Sequence, residues 1–138
     1  MRAPRVDDLV KGWVHRSYLE RYGSWAQPVL DEFAFLLESG FSLTGSEVAG
    51  VHFHQNGHFV WFVGPDRDVA VDYDPETNSV AADVVEHDPP RFTSLDELIT
   101  RHVPGAVVPR RQPLDRPAIE ETVRWWAAGL RRISTDSL

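Results

Sequence analysis

The sequence predicts a single α+β domain: an antiparallel meander of four to five strands packed with N-terminal and C-terminal helices. Three observations carry this. The apolar period changes from about 3.6 residues to 2 after Phe41. Asn56-Gly57 lies between two β-branched and aromatic runs, a strong hairpin signal because both residues tolerate positive φ. The elements come in blocks, helices then strands then helices, which is not a βαβ alternation. At 138 residues the chain is one domain, residues 1–138, with a tail expected to fray after about 133.

A first helix is expected over Val6–Tyr22, where Leu9, Val10, Trp13, Val14 and Tyr18 recur at helical spacing and Gly23 stops the run. Ser24 and Gln27 have the spacing of a capping box, and Pro28 fits only a first turn, so a second helix runs to Ser39. Its stripe is Ala26, Val29, Leu30, Phe33, Leu36 and Leu37. Strands follow at Val48–His54, His58–Val63, Asp68–Tyr73 and Ser79–Val85, with Phe41–Leu43 a candidate fifth. His87-Asp88-Pro89-Pro90 is read as the end of the sheet. Ser94 to Glu97 forms a capping box for a short helix closed by Pro104-Gly105. Asp115 caps a last helix with Pro117 in its first turn and Ile119, Val123, Trp126, Ala127 and Leu130 as its stripe. Phe33, Leu37, Val51, Phe53, Val60, Phe62, Val71, Val84, Leu98 and Trp126 are expected in the core.

The net charge is −7, and it is unevenly spread: Asp31 to Thr100 holds fourteen acids and two bases, while both ends are basic. Such a lobe repels phosphate backbones, which argues against nucleic acid as a partner, and attracts a cation or a basic protein. No apolar run reaches a membrane span, no secretory signal opens the chain, and the absence of cysteine removes disulfides and thiolate chemistry. A cytoplasmic protein without membrane contact is expected. No GxSxG, P-loop, GxGxxG or HExxH occurs, so no catalytic residue and no cofactor is assigned.

Two constellations invite chemistry. His52 and His54, two apart on a strand, share a face and can ligate a transition metal if a carboxylate such as Asp72 joins them. With Asn56-Gly57 as the turn, Gln55 pairs with His58, His54 with Phe59 and His52 with Trp61, which sends His58 to the opposite face and leaves only two histidines converging. The same register groups His52, His54, Phe59 and Trp61 on one sheet face, with Asp72 and Asp74 as an extension of it. The acids from Asp66 to Glu76 lack the spacing of an EF-hand and read as a strand between turns. Trp125, adjacent to the core-facing Trp126, falls with Thr122 and Gly129 on a partly exposed row and is a candidate contact residue.

A small acidic domain of this plan, with Phe33-Ala-Phe-Leu-Leu-Glu-Ser-Gly-Phe41, the hairpin Val51–Val63 and Val69-Ala-Val-Asp-Tyr-Asp-Pro75, resembles bacterial immunity proteins of polymorphic toxin systems. The resemblance implies a protein that blocks a toxin through an acidic surface; it assigns no residue a role. The expectation is therefore a protein-binding module whose partner is a basic toxin or enzyme, contacted through His52, His54, Phe59, Trp61, Asp72, Asp74 and Trp125. The alternative is a metal-binding domain or metal-dependent hydrolase built on His52, His54 and Asp72.

Overall fold

The computed structural model describes residues 3–5, 25–43, 51–54, 57–74, 77, 79–109 and 115–133, and of 51–54, 57, 58 and 116 the backbone alone. The first expected helix, Ser24 and the tail after 133 lie outside these residues.

Five strands, β1 (Val51–His54), β2 (Gly57–Val63), β3 (Arg67–Asp74), β4 (Ser79–His87) and β5 (Pro90–Ser94), form one antiparallel sheet in chain order. Four helices accompany it: α1 (Ala26–Glu32), α2 (Ala34–Glu38), α3 (Leu95–His102) and α4 (Arg116–Arg132). The expected α+β meander is thus present, and the sequence punctuation explains most of its corners. Ser94 caps α3 by accepting from Asp96 N at 3.1 Å, and Asp115 caps α4 by accepting from Ala118 N at 2.9 Å. Gly105 follows α3 at φ 78°, a conformation that favours glycine.

The register divides the sheet into two faces. Val60, Phe62, Val69, Val71, Val80, Ala82 and Val84 point to the core face and are buried. There they join Val29, Leu30 and Phe33 of the α1–α2 segment and Ile119, Val123, Trp126, Ala127 and Leu130 of α4 in one cluster. Phe33 stacks on Phe62 with ring centroids 5.8 Å apart. The opposite face carries His52, His54, Phe59, Trp61, Asp68, Ala70, Asp72, Asp74, Asp83, Val85, His87 and Phe92 by register.

Four expectations are corrected. The single helix to Ser39 is two, broken at Phe33 (φ −96°, ψ 9°), where burying the ring against Phe62 outweighs helical continuity; Leu37 is consequently half-buried. The fifth strand is Pro90–Ser94, not Phe41–Leu43, which makes one bridge from Ser42 to Val63. Pro89 sits in the β4–β5 turn and Pro90 opens an edge strand, the two places where a sheet tolerates a missing N–H. In the hairpin His54 pairs with Gly57 and His52 with Phe59, so Gly57 belongs to β2, and residues 55 and 56 lie outside the described set. This moves each pair by two residues along β2 and preserves the partition between faces.

Candidate acidic and aromatic sheet face

The described helices pack on the core face. On the other face Asp72, Asp74, Ala81 and His87 are exposed and Phe92 is 63% accessible, while Asp68, Ala70 and Val85 are buried, at 9%, 3% and 7%. Phe59 and Trp61 are half-buried, close enough to make an edge-on pair at 5.8 Å. The register therefore brings the sequence-derived candidates together. Phe59 stands opposite Asp72 and beside the position of His52, and Trp61 stands one step along β2.

Trp61 is held by a polar knot. Its Nε1 donates to Asp68 Oδ2 at 2.7 Å. Asp68 Oδ1 accepts from Gly64 N at 3.2 Å and lies 2.6 Å from His87 Nε2. One carboxylate, 9% exposed, thus ties the β2–β3 turn, the indole and the end of β4. Gly64 is required there because a Cβ would run into the carbonyl of Arg67 and lie 2.7 Å from the Phe41 ring.

Aspartates cover the middle of the face. Asp72 pairs with Ala81, so Asp83 is its diagonal neighbour. Asp72 has its pKa raised, first by partial desolvation of the carboxyl against the sheet and second by the Asp83 charge. Asp83 is raised by burial and then by Asp96. Neither makes a hydrogen bond or ion pair with a described residue. Arg67 and Arg91, the two bases of the acidic middle, have register positions on the core face, so the open face of the strands holds four aspartates and no lysine or arginine.

Phe59 stands between His52 and Asp72, which places their backbones two strand spacings, about 10 Å, apart. Among the described residues no group of three or more potential ligands could hold a metal ion. Trp125 is not brought to the sheet face. It is half-buried in the helical layer, beside Ile99, Val103 and Ala106, lining a groove of about 220 Å³. The row assigned to it is more buried than expected, because α4 packs against both α1 and α3: Thr122 is fully buried and Gly129 abuts Ile99.

Sequence reasoning missed Phe92 and the Asp68 knot. The signal for the first was Arg91-Phe92-Thr93 between Pro90 and Ser94, a strand-length segment masked by the proline pair. No described helix is long and apolar enough to cross a membrane. Comparison of the chain with protein-family models, curated proteins and solved structures finds no match.

Proposed function

We propose that the chain is a protein-binding module that holds a basic partner on the open face of its sheet, an immunity-type protein neutralising a toxin or enzyme being the reading that fits best. The observation that supports it is the composition of that face: Phe59, Trp61 and Phe92 interleaved with Asp68, Asp72, Asp74 and Asp83, with no lysine or arginine at a register position of the described strands on that side. Aromatic side chains give a binding surface its stable contacts, and an excess of one charge draws in a partner of the other.

The experiment is affinity capture with the full chain as bait, run in parallel with an Asp72→Lys, Asp74→Lys variant and a Phe59→Ala, Phe92→Ala variant. A basic protein enriched by the parent and lost from both variants supports the reading. Equal capture by all three baits rejects this face as the binding surface.

A further inference from the structure

Where α3 ends against α4, the helical layer leaves a groove of about 220 Å³. Its floor is Ile99, Val103 and Gly129, all buried. Trp125 and Ala128 stand on the α4 side, and Ala106, in the turn after α3, on the other. Of the three large apolar side chains that the described residues leave exposed, two follow Ala106 directly: Val107 at 78% and Val108 at 40%. Apolar surface therefore continues out of the groove along the chain, and a contiguous patch of this kind marks a contact surface.

The polar lining has one sign. The side chains in it that can hydrogen-bond are the Trp125 indole and the Arg132 guanidinium, and both only donate. The last turns of α3 and α4 carry Arg101 and His102, and Arg131 and Arg132, with no acid among them. Arg101 is engaged by Glu97 one turn back. Arg131 lies over the Phe35 ring and donates to the Glu32 carbonyl. Arg132, exposed at the end of α4, is thus the cation that the groove itself offers.

We propose that this groove docks an acidic segment of a partner protein, with one apolar side chain inserted beside Trp125 and an adjacent carboxylate paired with Arg132. The volume is below the about 300–1,000 Å³ of pockets that enclose a small molecule, and suits a single large side chain. Charge selects the neighbour of that side chain. A carboxylate supplies the acceptors that the lining side chains lack, and a guanidinium can hold it through two parallel N–H bonds. A lysine in that place would meet Arg132 with like charge. A tryptophan has only two side-chain torsions to order, and Trp125 is already half-buried against the helices, so little freedom is lost on docking. The groove lies in the helical layer, away from the open sheet face. It is a second contact surface and does not depend on the reading of the first.

The test is an amide chemical-shift titration of the full chain with three end-capped pentapeptides: glycine-glutamate-leucine-glutamate-glycine, the same with lysine for glutamate, and the same with serine for leucine. The first should bind with a dissociation constant on the order of 1 mM, about tenfold or more below that of either of the others. Its shifts should centre on residues 99–106 and 125–132, and the affinity should fall as salt rises. Arg132→Glu should reverse the order of the glutamate and lysine peptides. Ala128→Phe, at an exposed helix position, fills the groove without altering charge and should abolish binding of the first peptide. Unchanged resonances on β2–β4 show that both variants keep the fold. Equal binding of the glutamate and lysine peptides, indifference to leucine, shifts elsewhere, or no saturable shift up to about 10 mM overturns the proposal. So does either variant binding like the parent.

Discussion

Asp68 is the residue on which the open face depends most. Replacing it with alanine would leave the Trp61 indole N–H without its acceptor and the His87 ring without its partner, while Gly64 N would keep its bond to the Arg67 carbonyl at 3.0 Å. The expected loss is about 1–3 kcal/mol in urea unfolding, whereas Trp61→Phe, which removes one donor and keeps most of the ring, should lose only about 0.5–1.5 kcal/mol. Asp72 and Asp83 act in the opposite sense. Their folded-state pKa values lie above the unfolded ones, so the folded protein binds protons more tightly and stability falls as pH rises through the raised values. Asp83→Asn should therefore raise Tm at pH 7, by about 1–3 °C if a like-charge sheet contact is removed, and the gain should vanish below the ordinary carboxylate range, where parent and variant are equally uncharged. None of this was legible in the acidic run itself. Asp68 and Asp72 look alike in sequence; one becomes a triple acceptor and the other makes no bond to a described residue, because of which strand residue the register sets beside each.

At the scale of elements, the sequence signals that worked were local. Alternation marked β2, β3 and β4, and the caps at Ser94 and Asp115 marked the starts of α3 and α4, because each depends on neighbours a few residues away. Those that misled needed partners far along the chain. The α1–α2 break at Phe33 serves a ring on β2, and β5 exists because β4 offers it an edge. Helix packing gives the sharpest test. Asp96 meets Trp126, and Ile99 meets Gly129, so α3 and α4 run parallel in close contact. A Cβ at Gly129 would lie 2.7 Å from three atoms of the buried Ile99 side chain. Gly129→Ala should gain about 1 kcal/mol of helix propensity and lose about 1–3 kcal/mol to overpacking, a net destabilisation. In an Ile99→Ala background the clash is absent and the same replacement should stabilise. A double-mutant cycle by chemical unfolding reads the change of sign; additivity would mean that the two helices do not constrain each other here.

The described residues are polarised. Helices whose last turns carry Arg101, Arg131 and Arg132 bury one apolar face of the sheet, and the other face has Asp72, Asp74 and Phe92 exposed. The fold class and the membership of the open face could be read from the sequence, since a two-residue change of hairpin register leaves every side chain on its own side. The exposure of that face could not, because it depends on where the helices pack. This division makes a kinetic prediction for a basic partner identified by capture. Charge acts at a distance and is screened, whereas aromatic contact acts only after docking. Asp72→Lys with Asp74→Lys should slow association, most strongly at low ionic strength, and the difference from the parent should shrink as salt rises toward about 1 M, where the screening length is near 3 Å. Phe92→Ala alters a side chain that is 63% exposed, so folding stability should change by no more than about 0.5 kcal/mol. Its dissociation rate should rise about tenfold with association nearly unchanged. Stopped-flow mixing across a salt series separates the two effects. A charge variant that alters only dissociation, or a Phe92→Ala protein that alters only association, would show that the partner meets the molecule elsewhere.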